Sequence, residues 1–344
     1  MINSTPQKAV ILVNLGSPDL PRKDAIRRFL KELLSDPKVM NIPAVLRWII
    51  LNFLILPFRP AKIVRNYQHI WTEDGFPLIT HSKNLADALS EKLGNNYAVQ
   101  MVMRYGSPSI EAGVRTIQEL GIRDISVLPL FPQYATATTG SALEKVFKLL
   151  GAGKKSPQIT VGNAFYDDKR FIDCWVKKGL SYLGDKSEHV LFSFHGLPVS
   201  QIQSLAQPGS DCNESKSCCD QINDQNKNCY RAQCVQTATK IAIGLGISPD
   251  NYTISFQSRL GRTQWLEPYT SQIIQDLASK GVKDLLVFCP SFVADCLETL
   301  FEIEVEEKER FISFGGESLT LVPSLNSEES WVETVFHLIQ KLKC

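Results

Sequence analysis

The segment Gly121-Ile-Arg-Asp-Ile-Ser-Val-Leu-Pro-Leu-Phe-Pro132 reads as a helix-capping glycine, a charged turn, a buried strand, and a proline that ends the strand and opens a loop. The same form returns 160 residues later as Gly281-Val-Lys-Asp-Leu-Leu-Val-Phe-Cys-Pro-Ser-Phe292. Outward from these two segments, short apolar runs alternate with longer helical patterns along the whole chain. Strands are expected at Val10–Asn14, Tyr97–Arg104, Asp124–Phe131, His189–His195, Tyr252–Gln257 and Asp284–Pro290. Helical patterns between them include Ile110–Leu120, Gly140–Leu150, Arg170–Gly179, Tyr230–Leu245 and Pro268–Lys280. This alternation is the sequence form of βαβ units, so the fold class is α/β with parallel sheets flanked by helices. The repeat implies two related halves, 1–165 and 166–344, with ligand chemistry at the carboxyl ends of the strands.

Composition narrows the function classes. Of 344 residues, 44% are apolar, and 37 Lys+Arg against 36 Asp+Glu leave a net charge of +1. Such a chain can bury a core and has no bulk field to attract nucleic acid, so no nucleic-acid partner is expected. The run Ala9–Leu15 is too short for a signal-peptide core with its cleavage site, which points to a cytoplasmic protein. The most apolar stretch, Ile42–Leu56, is interrupted by Pro43, Arg47 and Asn52 and falls short of the roughly 18 apolar residues of a membrane span. The oligomeric state is left open.

Two features suggest chemistry. His195 ends a buried strand and precedes Gly196-Leu-Pro198, which places an imidazole at a strand's carboxyl end beside a tight turn. Glu298, Glu302 and Glu306 recur at every fourth position directly after another strand end, and on an α-helix they form one row of carboxylates. Such a row runs against mutual repulsion and suits a hard divalent cation, which takes oxygen ligands. Aromatic and arginine residues follow other strand ends: Arg104-Tyr105, Phe131-Pro-Gln-Tyr134, and Ser258-Arg259 through Trp265. A pocket so lined suits a large flat anion.

With these motifs in order, the chain resembles the ferrochelatases. The resemblance rests on Val13-Asn-Leu-Gly-Ser-Pro-Asp19, Phe131-Pro-Gln-Tyr134 with Thr138-Thr-Gly-Ser141, Ser193-Phe-His-Gly-Leu-Pro198, Phe256-Gln-Ser-Arg-Leu-Gly261 with Trp265, and Asp295-Cys-Leu-Glu-Thr-Leu300. It implies two Rossmann-like halves with a porphyrin cleft between them, and insertion of Fe2+, as substrate, into a porphyrin during haem synthesis. His195 and Glu298 match the family's two central positions, with His195 as acceptor of the pyrrole protons or as an iron ligand, and Glu302 and Glu306 as relay carboxylates. Leu15, Arg104, Tyr105, Phe131 and Trp265 are then porphyrin-binding candidates, and Arg262 is a second candidate partner for propionates. Leu15 stands where coproporphyrin users often carry tyrosine, which implies protoporphyrin IX. Residues 42–56 correspond to the family's apolar lip; near Arg47, Arg59, Lys62 and Arg65 it either rests on a membrane surface or packs as a buried helix. Two other functions stay open: a related chelatase acting on coproporphyrin or inserting cobalt, and a non-catalytic porphyrin or haem carrier.

The cysteines are unevenly spread. Of nine, five fall between positions 212 and 234, within a polar insert at 205–230 and just after it, in the spacing C-x5-C-C-x9-C-x4-C. In a reducing compartment such thiols hold zinc, an iron–sulfur cluster or nothing. Some ferrochelatases resemble this chain in an internal cysteine-rich segment that carries a [2Fe–2S] cluster. That resemblance implies Cys212, Cys218, Cys219 and Cys229 as ligands, with Cys234 as substitute. The neighbouring side chains of Cys218 and Cys219 are expected to diverge.

Overall fold

The strand Lys8–Asn14 (β1) is apolar on both faces, and Val10, Ile11, Leu12 and Val13 are all fully buried. A strand of that kind fits a sheet covered on both faces, as in parallel sheets flanked by helices. The computed structural model, which describes residues 6–151, 156–184, 188–206, 218–261 and 263–342, contains two such sheets.

The first comprises β1, Tyr97–Met103 (β2), Asp124–Pro129 (β3) and Gln158–Val161 (β4), all parallel, in the order β2-β1-β3-β4. The second comprises His189–His195 (β5), Tyr252–Gln257 (β6), Asp284–Phe288 (β7) and Ser318–Leu321 (β8), also parallel, in the order β6-β5-β7-β8. The second order is the first repeated with every strand shifted by four, so the two matching segments of the sequence, β3 and β7, hold equivalent places. In each sheet the chain reverses its winding direction between the first and third strands, which makes the carboxyl ends of β1 and β3, and of β5 and β7, the places for ligand chemistry.

The chain forms two compact units. One is Met1–Phe131, Ala135–Asn163 and Asn326–Cys344; the other is Pro132–Tyr134 and Ala164–Leu325. The carboxyl-terminal helix Glu329–Lys341 thus belongs with the first sheet, whereas a boundary at 165 assigns it to the second half. It packs on the helix Pro77–Leu93, with an ion pair between Lys92 and Glu333. Strands β4 and β8 were not expected. Each has four residues, Gln-Ile-Thr-Val and Ser-Leu-Thr-Leu, too few to show a periodicity, and each lies at a sheet edge.

Among the described residues three segments are π-helical: Ile50–Ile55, Thr136–Gly140 and Glu298–Glu307. In the last, the N–H of Lys308 bonds the carbonyl of Ile303, five residues back, rather than four. π turns are rare and are frequently found at functional sites.

The apolar stretch near residue 50 is exposed, not buried. Leu51 and Leu56 anchor it, at 3% and 2% exposure, while Val45, Trp48, Phe53, Leu54 and Phe58 are 59–73% exposed. Arg47 is not free to meet a headgroup, because its Nη1 donates to the carbonyls of Met40 and Ile42 at 3.2 and 3.0 Å. Among the described residues no single helix is long and apolar enough to cross a membrane, and Ala44–Ile55 meets Arg59–Ile70 at a bend of 69°.

Candidate active site

In the second unit, β5 and β6 end on residues that are direct partners in the sheet, His195 and Gln257. The half-buried His195 ring lies between two aromatic side chains, its centroid 6.5 Å from Trp265 and 6.2 Å from Phe292. Its Nδ1–H donates to the Gly196 carbonyl at 2.6 Å, so in the neutral ring it is Nε2 that carries the lone pair. A Cβ at Gly196 would meet the Gln257 carbonyl oxygen at 2.8 Å and the Trp265 ring at 3.3 Å, which explains a glycine after this histidine. Trp265 is itself held by its indole N–H on the Leu260 carbonyl at 2.9 Å.

The acidic π-helix faces the same strand ends. Its start is fastened by buried Asp295, whose Oδ1 accepts from the Thr299 hydroxyl at 3.1 Å and the Ser324 N–H at 3.0 Å. Gln257 donates through Nε2 to the carbonyl of Glu298 at 2.8 Å and to Glu302 Oε2 at 3.3 Å. Ser258 donates its N–H to Glu302 Oε1 at 2.9 Å and its hydroxyl to Oε2 at 2.5 Å. Burial pushes the Glu302 carboxyl above its ordinary range against the Ser258 bonds; the charge of Glu298 adds to the rise and that of His195 opposes it. His195, Glu298 and Glu302 are therefore one electrostatic group. Cys296, buried, hydrogen-bonds Glu298.

The carboxylate row differs from the expected one. An α-helix aligns Glu298, Glu302 and Glu306, but in a π-helix residues four and five apart share a face. Glu306 is exposed, and Glu307 is the buried acid, at 8% exposure. Burial raises the Glu307 carboxyl to about 7, against the charge of Arg310, whose Nε lies 3.0 Å from it, while Glu302 adds to the rise. Reasoning from the sequence did not single out Glu307, Gln257 or Phe292. The first lies off the every-fourth-residue row, and the others are ordinary residues until the fold brings them to His195.

The first unit carries its own polar cluster. Arg104, expected to meet a propionate, already has a partner: Nη2 lies 2.6 Å from Asp36 Oδ2, and Nε donates to Ser141 at 2.6 Å. Tyr105 is fully buried, and its hydroxyl donates to the same Asp36 oxygen at 2.9 Å. Burial pushes the Asp36 carboxyl up, but hydrogen bonds from Ser141, the Lys38 N–H and Tyr105, with the charge of Arg104, hold it below the usual range. Leu15 and Phe131 are half-buried, and Phe131 packs against the first sheet's core. A Cβ at Gly16 would sit 1.8 Å from the Tyr105 carbonyl oxygen, and its φ is 116°, so glycine lets the loop after β1 close on the loop after β2. Arg262 lies outside the described residues.

In the cysteine-rich insert, the sulfurs of Cys218 and Cys219 do not diverge but lie 3.5 Å apart. Cys219 also hydrogen-bonds Cys229 and Arg231. Cys234 is fully buried against Tyr230. Among the described residues no group of three or more His, Cys, Asp or Glu side chains is arranged to hold a metal ion. These residues alone therefore do not fit a cluster; Cys212 lies outside the described residues.

Comparison with known proteins bears on this geometry. A family model described as Ferrochelatase matches residues 7–342. Ferrochelatase of Coxiella burnetii (strain Dugway 5J108-111) is 43% identical over 333 residues, 96% of this chain and 93% of that protein. Ferrochelatase of Legionella pneumophila (strain Paris) is 41% identical over 337 residues, 97% of this chain and 99% of that one. Among solved structures, SirB from Bacillus subtilis with Fe3+ matches with a TM-score of 0.53 at 10% identity, over 98% of this chain and 95% of that chain. That last likeness concerns the fold alone.

Proposed function

Because the chain belongs to the ferrochelatase family, we propose that it inserts Fe2+ into protoporphyrin IX, yielding protohaem and two protons. Metal insertion into a porphyrin, a lyase-type reaction of haem biosynthesis, follows from the membership; the identity of ring and metal is the finer reading. Leu15 supports protoporphyrin over coproporphyrin. Leu15, Arg104, Tyr105, Phe131 and Trp265 remain the proposed porphyrin-binding residues, with Tyr105 acting through Asp36 and Arg104.

The observation that carries the mechanism is the orientation of His195. Its Nδ1–H is occupied by Gly196, so the basic Nε2 is the nitrogen left to take a pyrrole proton. The incoming dication needs oxygen ligands as it sheds water, and Glu298 and Glu302 supply them, with Glu306 at the exposed end of the helix. Each proton removed from a pyrrole N–H passes to His195 and on to solvent, and the two nitrogen lone pairs bind the metal.

Two accessory roles belong to the same proposal. The exposed apolar stretch around Trp48 and Phe53, flanked by exposed Arg59, Lys62 and Arg65, rests on an anionic membrane surface and collects a poorly soluble porphyrin. The protein itself is read as cytoplasmic. The insert holds a [2Fe–2S] cluster only if Cys212 joins Cys218, Cys219 and Cys229; the approach of the latter three supports this, and no step of the insertion runs through it.

The test is porphyrin fluorescence during incubation with Fe2+ or Zn2+. Quenching or shifting of protoporphyrin emission, faster than that of coproporphyrin, is expected. Failure to metallate any porphyrin would overturn the reading in favour of a carrier, and preference for coproporphyrin or a reduced ring would make the protein a related chelatase.

A further inference from the structure

Ser258 is the first residue after β6, and its φ of 67° lies in the left-handed region, which a residue with a Cβ occupies only when its surroundings compel it. Glycine would adopt that conformation freely, yet the chain has serine. The turn aims two donors of a single residue at one carboxylate: the N–H reaches Glu302 Oε1 at 2.9 Å and the hydroxyl reaches Oε2 at 2.5 Å. The residue before it continues the grip, since Gln257 donates to Glu302 Oε2 and to the Glu298 carbonyl. The Gln257 amide cannot flip, because its oxygen accepts from the Ser193 hydroxyl at 2.6 Å, and Ser193 and Ser255 both lie 2.8 Å from the Thr270 hydroxyl. A chain of buried hydroxyls thus runs from the sheet interior to the acidic helix.

The equivalent place in the first sheet has a related contact. After β2, Arg104 and Tyr105 reach Ser141, the residue following the π turn Thr136–Gly140. There Arg104 and Tyr105 hold both that hydroxyl and the Asp36 carboxylate, whereas in the second sheet Ser258 and Gln257 hold an acid of the π-helix itself.

We propose that Ser258 is a positioning residue for the metal step, fixing both oxygens of Glu302 so that the carboxylate meets the incoming dication in one orientation. This deepens the reading of Glu302 as a metal-handling residue and rests on it. A carboxylate held by charge-assisted bonds has little rotational freedom left to lose when it meets a metal, and the effect is on metal, not on porphyrin.

The experiment uses the full chain with Ser258→Ala, Ser258→Gly, Glu302→Gln and the double variant Ser258→Ala/Glu302→Gln, measuring Zn2+ insertion with metal and porphyrin varied in turn. Ser258→Ala and Ser258→Gly are expected to raise the metal KM about tenfold, the scale of one hydrogen bond to a charged group, with the porphyrin KM within about twofold of the parent. Agreement between Ala and Gly separates loss of the hydroxyl from backbone strain. In the Glu302→Gln background, Ser258→Ala should change the metal KM by less than about twofold, because its partner is already gone. An unchanged metal KM in both Ser258 variants, beside a raised one in Glu302→Gln, overturns the proposal, as does an equal effect in both backgrounds. If Glu302→Gln itself leaves metal kinetics intact, the Glu302 reading fails first and the inference falls with it.

Discussion

His195 donates its Nδ1–H to the carbonyl oxygen of Gly196, 2.6 Å away, a bond between neighbours that fixes the plane of the ring and the identity of its basic nitrogen. A histidine so held has one remaining task for Nε2, and its charge acts on Glu302.

Replacing His195 by alanine should therefore lower kcat for metal insertion by about a hundredfold or more, the usual scale for losing a positioned proton acceptor. The variant should retain parental far-UV and near-UV circular dichroism, since the ring is only half-buried. Near-normal insertion by the folded variant would remove His195 from the mechanism.

Asp36 accepts hydrogen bonds from Arg104, Tyr105 and Ser141 at once. Asp36→Ala leaves a buried guanidinium and two hydroxyls without their acceptor, so urea denaturation should show a loss of about 3 kcal/mol or more. Asp36→Asn, which keeps an acceptor, should lose less.

His189 opens β5 with Nε2 2.9 Å from the Thr253 hydroxyl, and burial, aided by the Lys280 charge, depresses its pKa below 6.5. The folded state then binds fewer protons than the unfolded one. Its stability contribution is present above the unfolded value near 6.5 and is lost as the pH falls through the folded one. The thermal midpoint of His189→Gln should accordingly fall less than that of the parent between about pH 7 and 5. Parallel curves would show that His189 does not titrate in this way.

The exposed stretch offers a direct assay. Co-sedimentation with anionic phosphatidylserine vesicles at low salt should retain the parent protein and release a Trp48→Lys/Phe53→Lys variant, because both side chains are about 60% exposed. No sedimentation of the parent at low salt would refute the membrane contact.

For the insert, if Cys212 completes the proposed cluster, protein purified without oxygen should show visible absorption and equal iron and acid-labile sulfide, both lost in Cys219→Ser. A colourless preparation containing zinc would refute the cluster.

Much of this was legible beforehand because it depends on near neighbours in the chain. The spans of β5 and β6 agree to the residue with their apolar runs, and the prolines after β3 and β7 announce the loops that follow. Legibility ends where partners are far apart. Arg104 reads as free until Asp36, 68 residues earlier, is seen beside it, and nothing local announces that the Tyr105 hydroxyl meets the same acid.

The order of apolar runs, turn residues and motifs determined by itself the α/β class, the repeated plan and the strand that ends on His195, since backbone periodicity and turn chemistry act over a few residues. Which acids are buried was decided only by tertiary structure. Glu302 is half-buried and Glu307 buried while Glu306 is exposed, and the groups that grip Glu302, Gln257 at the end of β6 and Ser258 just after it, lie more than forty residues earlier in the chain, so these placements rest on contacts that local periodicity does not encode.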